Sequence, residues 1–475
     1  MTAPKATDTL TLPHQAEGSQ FLRDRSAAAL FDEQGLGKSK QLIDAVVASI
    51  HDGSLAGAVI VCPNTIKATW GEEIERHSQE RYAIFGSGRT ARRVAFRSLR
   101  ASFYVINYEA VAAELPSMRA LLRFKKMAFV LDESHRIKTP AAKVTRAIHS
   151  LRAEAARRYI MTGTPVANKP EDLWAQVFFL DSGRALGSSF RAFRERFCTR
   201  EGGYTRVDEL RERLATVCLR REKEGTISLP PKTFTYVSVT LAGEQLRMYE
   251  ELREQLELWV RDLSGNEILA QAEHILARLV RLAQLASNPA LLDTAYAETP
   301  AKVVALDQLL HAYLAEPTEK VIVWTSFVGN IRALLRRFSR YKPVALHGEM
   351  DSKSRNAAVA AFKNNAAVRL LIANPAAARE GLTLTRARTA IYLDRTFNLV
   401  DFLQSQDRIH RLSQANPCEI VILNAAGTID EFVAFSLAQK HRLAKYTQGD
   451  TDAIATEDLE LRKPDLLRAL IGRAP

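Results

Sequence analysis

The run Asp32-Glu33-Gln34-Gly35-Leu36-Gly37-Lys38-Ser39 sets two glycines, a lysine and a hydroxyl within one short turn. Such a turn can aim backbone N–H groups at a phosphate, an ammonium at the outer phosphates and a hydroxyl at magnesium. The general phosphate-loop pattern is G-x-x-x-x-G-K-[ST]. Gly37, Lys38 and Ser39 supply its second half, while Asp32 stands where the first glycine belongs. On these residues alone, a phosphate loop and a glycine turn ahead of a helix are both open readings.

Three further stretches carry chemistry. In "LDESH" (131–135) an acidic pair follows the apolar run "MAFVL". Asp132 could hold magnesium through its water shell, and Glu133 could orient or deprotonate an attacking water. The alternative is a solvated acidic turn, which the upstream glycine loop disfavours, because a two-part nucleotide site needs both. "MTGTP" (161–165) offers Thr162 and Thr164 as relays of nucleotide state, or is an ordinary Gly-Pro turn. In "LQSQDRIHRLSQ" (403–414), Arg408 and Arg411 fall on one helical face. They are either arginine fingers that neutralise charge on a transferring phosphate, or an exposed basic helix. "RTARRVAFRSLR" (89–100) has five arginines and no acid. As a helix it would align Arg89, Arg93, Arg97 and Arg100, either toward a phosphate backbone or into solvent.

These residues need elements that hold them. "AAALF" (27–31) ahead of the glycine loop reads as a buried strand, and "SKQLIDAVVASI" behind it places Leu42, Ile43, Val46 and Ile50 on one helical stripe. The same grammar recurs in two halves. Apolar runs at 57–63, 102–108, 127–133 and 158–164 alternate with helical patterns, as do runs at 320–327, 342–348, 368–374, 389–395 and 418–424. Short apolar strands separated by helices imply parallel sheets covered on both faces, with ligands just beyond the strands. The expected fold is α/β, with two lobes joined by a helical insertion and linker. Expected boundaries are a flexible lead over 1–10, lobe one over 11–235 with helical insertion from near 185, a helical linker over 236–300, and lobe two over 301–475.

Composition narrows the partners. No stretch of the 475 residues is long and apolar enough for a membrane span, and the start lacks the apolar core of a leader. A cytoplasmic protein without membrane association is expected. The four cysteines form no C-x-x-C pair, so neither a zinc site nor a disulfide framework is expected. A formal net charge of +12 tilts toward a polyanion, nucleic acid first.

Taken in order, "LPHQAEGSQFL", "DEQGLGKS", "VCPNTIKATWGEEIER", "VINYE", "LDESHRIK", "MTGTPVANKPEDLW", "VIVWTSF", "ALHGEM", "NPAAAREGLTL" and "QDRIHRLSQ" resemble the Swi/Snf-type ATPase branch of superfamily-two helicases and translocases. The likeness runs from about residue 12 to 435, close to the compact bacterial and phage forms. That family reads D-E-x-G-L-G-K-[ST], which accommodates Asp32 and favours the phosphate loop.

The resemblance implies two RecA-like lobes and a motor, expected in bacterial or phage-infected cytoplasm and compatible with a nucleus, that uses ATP and Mg2+ to move along double-stranded DNA as a monomer. Alternatives within the same set of residues are a strand-separating helicase and a nucleotide-gated DNA-binding protein with little turnover. By the same resemblance, Gln15 would contact adenine. Gly35, Gly37, Lys38 and Ser39 would cradle phosphates, with Ser39 and Asp132 on the metal and Glu133 on the water. His135, Thr162, Thr164 and Gln404 would couple nucleotide to DNA, and Arg408 and Arg411 would be fingers. Pro63, Thr65 and Lys67, then Asn107 and Tyr108, then Arg379 would touch the nucleic-acid backbone, with Arg93 and Arg97 from the basic stretch. Arg379 and Thr383 depart from the family's usual glycine and asparagine, and Asp407 stands where minimal members tend to have glycine.

Overall fold

In the computed structural model, residues 11–86, 100–166, 168–199, 203–261, 267, 271–378 and 382–455 are described. Arg93, Arg97 and Arg379 lie outside them. Two compact units emerge. The first takes residues up to 199, then 204–228 and 442–455, and the second holds 229–441.

The first unit is a parallel sheet. Its strands are β1 (Ala27–Leu30), β2 (Gly57–Cys62), β3 (Tyr82–Ile84), β4 (Phe103–Asn107), β5 (Met127–Asp132), β6 (Arg157–Met161) and β7 (Cys218–Leu219). Their spatial order is β3-β4-β2-β5-β6-β1-β7. Every residue of β2 is buried, as a strand covered on both faces requires. The helices that matter for the site are α1 (Pro13–Arg23), α2 (Lys38–His51), α3 (Lys67–His77) and the short α4 (Tyr108–Val111). Leu42, Ile43 and Val46 of α2 are fully buried, packing in one core with Trp70 and the strand residues Ile60, Val105 and Val130. Ile50, expected on the same stripe, packs against that core from a half-buried position.

The second unit is a six-stranded parallel sheet. It is made of β8 (Lys232–Val239), β9 (Val321–Trp324), β10 (Val344–Leu346), β11 (Leu370–Ala373), β12 (Thr389–Tyr392) and β13 (Cys418–Ala425), in the order β10-β11-β9-β12-β13-β8. Alternate side chains feed two cores. Ile322, Trp324, Leu371 and Tyr392 bury on one face, and Val321, Val323, Leu370 and Ile391 on the other. The expected helical stretch over 236–300 contains Gly243–Arg261 and Ala272–Ser287, and both helices fall within the second unit. The "LPPKT" break runs directly into the edge strand β8, which the sequence reading passed over. The parallel α/β architecture itself is as expected in both halves.

Candidate nucleotide site

β5, β6 and β1 are adjacent in the first sheet, so the segments leaving their C-terminal ends converge. After β1 the chain turns through Gly35 (φ 94°) and Gly37 (φ 76°), both in the left-handed region that glycine reaches without cost. A side chain at Gly37 would also collide with Gln15, whose Nε2 lies 2.5 Å from the position a Cβ would take. Lys38 opens α2, with Ser39 in its first turn. The Lys38 ammonium donates to the carbonyls of Asp32 (2.6 Å) and Glu33 (3.2 Å). Burial lowers its pKa, opposed by the carboxylates of Asp32, Glu133 and Asp132. On α1, Gln15 Oε1 accepts from Leu12 N, and His14 Nε2 lies 3.0 Å from the Leu36 carbonyl.

Asp32 is fully buried and accepts from Arg221 Nη2 (2.6 Å), Arg221 Nε (3.1 Å) and Gln41 Nε2 (3.0 Å). Gln41 Oε1 in turn accepts from Arg221 (2.9 Å). The neighbouring Glu33 accepts from Lys223 N (2.8 Å) and donates its own N–H to the Arg221 carbonyl (2.9 Å). The carboxylate that replaces the first glycine is therefore a structural anchor, strapping the phosphate loop to residues 221–223. Arg220 adds a bond to the Phe31 carbonyl (2.6 Å) and is itself held by Asp450 (2.7 and 2.9 Å).

At the end of β5, Asp132 uses both carboxylate oxygens. Oδ1 accepts from Glu133 N (3.0 Å) and Oδ2 from Trp70 Nε1 (2.9 Å). Burial, and secondly the charge of Glu133, push its pKa up to about 7, against the Trp70 hydrogen bond and the Lys38 charge. A half-buried carboxylate whose ionised form is held back in this way fits a divalent cation. One protein carboxylate beside a hydroxyl such as Ser39 is also the donor set magnesium uses when it arrives with phosphates. Glu133 takes the left-handed conformation (φ 53°), unusual for a residue with a side chain and a form of strain that collects at functional sites. Its Oε2 accepts from Thr162 Oγ1 (3.3 Å) and lies 3.3 Å from His135 Nδ1, which is 3.2 Å from the Thr162 hydroxyl. Thr164 N donates to that hydroxyl (3.1 Å). Gly163 lets this turn meet the phosphate loop, since a Cβ there would lie 2.5 Å from Gln34 Cγ and 3.0 Å from Gln34 N. Gln176 joins the two turns by accepting from Ser134 Oγ (2.7 Å) and donating to the Pro165 carbonyl (2.8 Å).

The structure thus brings Gln15, Gly35, Gly37, Lys38, Ser39, Asp132, Glu133, His135, Thr162 and Thr164 together at one end of one sheet. Two expected backbone contacts need correction. Lys67 is buried, with its ammonium on the Phe85 carbonyl (2.8 Å), and the buried Tyr108 gives its hydroxyl to the Asp132 carbonyl (2.8 Å). Each lies on the inward face of its helix, so their polar heads are internal ties. Pro63 is buried as well, while Thr65 is exposed and Asn107 is half-buried, its amide on Glu109 (2.7 Å).

In the second unit, Arg408 is 2% exposed, with Nε on the Gln404 carbonyl (2.8 Å) and Nη1 on the Leu382 carbonyl (3.2 Å). Gln404 is buried beside it. Arg411 is half-buried, bonding the Asp407 carbonyl (2.8 Å) and Thr383 Oγ1 (3.0 Å). The threonine that departs from the family pattern is thus a partner of Arg411. Gln41, Arg221, Gln176 and Trp70 were missed as site residues. Trp70 and Gln41 lay inside quoted stretches, and nothing local marks Arg221 and Gln176.

A glycine loop on a helix N-terminus, an Asp-Glu pair two strands away and a threonine turn between them define a nucleotide-phosphate site on a parallel sheet. Residues 14–291 match the SNF2-related domain and residues 301–413 the helicase conserved C-terminal domain, and the chain belongs to the SNF2-related family. It is similar to the chromodomain-helicase-DNA-binding protein 1-like of Danio rerio, 26% identical over 91% of this chain and 43% of that one. It is also similar to the DNA annealing helicase and endonuclease ZRANB3 of Homo sapiens, 25% identical over 96% of this chain and 42% of that protein. The chain spans about two fifths of the length of these relatives. Among solved structures, the Sulfolobus solfataricus SWI2/SNF2 ATPase core in complex with dsDNA is 26% identical over 99% of this chain and 98% of that one, with a TM-score of 0.45. Among the described residues no helix is long and apolar enough to cross a membrane.

Proposed function

We propose that the protein is a DNA-dependent ATPase that uses ATP to move along, or remodel proteins on, double-stranded DNA without obligatory strand separation. The observation that carries this reading is the joined set of Lys38, Asp132, Glu133, His135 and Thr162 at the ends of three adjacent strands, in a chain of the SNF2-related family.

In this reading Lys38 leaves the Asp32 and Glu33 carbonyls for the outer phosphates of ATP. Ser39 and Asp132 hold magnesium, which neutralises phosphate charge when bound. Glu133 positions the attacking water and accepts its proton, its carboxylate fixed by Thr162 and His135. Gln15, against Gly37, faces the base. Arg408 and Arg411 serve turnover rather than affinity. Thr65 and Asn107, with Arg93, Arg97 and Arg379, grip phosphates of the duplex, giving salt-sensitive and sequence-tolerant binding. The protein works as a monomer, needs no zinc and does not engage membranes, and its net charge of +12 suits the polyanion.

The deciding experiment pairs displacement of a third strand from a triplex with unwinding of a duplex, on one preparation with ATP. Triplex displacement without unwinding is expected. Unwinding at a comparable rate would replace the translocase by a strand-separating helicase.

A further inference from the structure

The aspartate proposed to hold magnesium is wired to two segments proposed to lie along DNA. β4, β2 and β5 are consecutive neighbours in the sheet. The chain leaving β2 runs through Pro63–Ile66 into α3, and the chain leaving β4 passes Asn107 into α4. Each of these helices sends one buried aromatic residue to Asp132. Trp70, 2% exposed, donates its indole N–H to Oδ2 (2.9 Å), and Tyr108, also 2% exposed, donates its hydroxyl to the Asp132 carbonyl (2.8 Å). Since Glu133 N occupies Oδ1, the carboxylate orientation and the peptide behind it are fixed from three directions.

We infer that Trp70 and Tyr108 are positioning residues that report occupancy of segments 63–67 and 107–109 to the metal-holding carboxylate. This rests on the function proposed above. Both aromatics are embedded in close-packed core, so a displacement of either segment has no free volume in which to dissipate. The indole N–H claims one side of Oδ2 and so determines which lone pair faces a cation. Shifting α3 rotates or releases that oxygen. Shifting α4 moves the carbonyl at the point where the strained Glu133 begins. A duplex phosphate held by Thr65 or Asn107 therefore changes the geometry of Asp132 and Glu133 without touching either. The bland alternative is that both polar tips merely satisfy their hydrogen bonds inside a core.

Tyr108→Phe keeps the ring and removes only the donor, whereas Trp70→Phe removes the indole N–H together with its five-membered ring, so the two variants, read beside thermal melting, separate the two readings. ATP turnover is measured with and without duplex DNA for the parent and both variants, alongside thermal melting. The four tryptophans are also labelled with 5-fluorotryptophan, and the Trp70 fluorine resonance is assigned by its absence in Trp70→Phe. The inference expects the duplex to shift the parent's Trp70 resonance with no nucleotide present. It expects each variant to lose about fivefold or more of the duplex stimulation in kcat, with KM for ATP changed less than about twofold. If Trp70→Phe melts early, Tyr108→Phe at the second contact makes the same comparison. Rates reduced by one factor with and without duplex, or stimulation equal to the parent's, would overturn the inference while leaving the proposed function standing. A parent that duplex DNA does not stimulate would overturn both.

Discussion

In the proposed function Lys38 and Glu133 have opposite duties at the same site, one binding charge and the other moving a proton. Their replacements should separate accordingly. Lys38→Ala removes the ammonium that opens α2 and should abolish hydrolysis while weakening ATP binding. Glu133→Gln keeps the shape and loses the base, so nucleotide binding should persist with turnover down by on the order of 10²-fold or more. Binding by fluorescent nucleotide and turnover by phosphate release, on both variants, check the pair. A Glu133→Gln protein turning over at the parent rate would remove that residue from the chemistry.

The phosphate loop as an element depends on residues far away in sequence. Asp32 and Arg221 are 189 positions apart, yet the carboxylate is fully buried and its guanidinium partner nearly so. Arg221→Met would leave a buried charge unpaired, and chemical denaturation should show a loss of about 3–5 kcal/mol. Adding Asp32→Leu should recover a large part of that loss, because an apolar pair needs no compensation. This partner was not legible in the sequence, since no local pattern announces a long-range ion pair. The expected strands were legible for the converse reason. β2, β5, β9 and β11 are buried on both faces, so each reads as an unbroken apolar run. The edge strand β8 is largely exposed, and its alternating Phe234 and Tyr236 are a weaker signal that was outweighed by the prolines before it. The phosphate loop, Asp132 and Glu133 could be placed from motif order, whereas the inward turn of Lys67 and Tyr108 could not. Residue type does not reveal which face of a helix leaving a strand points into the core.

For the whole molecule, the question is whether the second unit is needed for chemistry proposed on the first. Arg408 is buried on two carbonyls, so Arg408→Ala should lower stability by about 1–3 kcal/mol besides affecting turnover. Arg411 is less enclosed, and Arg411→Ala is the cleaner probe. It should leave ATP affinity and melting near the parent values while cutting kcat by on the order of 10³-fold. Loss of affinity without loss of kcat would assign it to ground-state binding. The most direct measurement is steady-state ATP turnover at low salt with no nucleic acid, with single-stranded DNA and with duplex DNA. Turnover should be low alone, higher with single strands and highest with duplex, and raising the salt should lower the duplex response. The same rate in all three conditions would contradict a motor driven along double-stranded DNA.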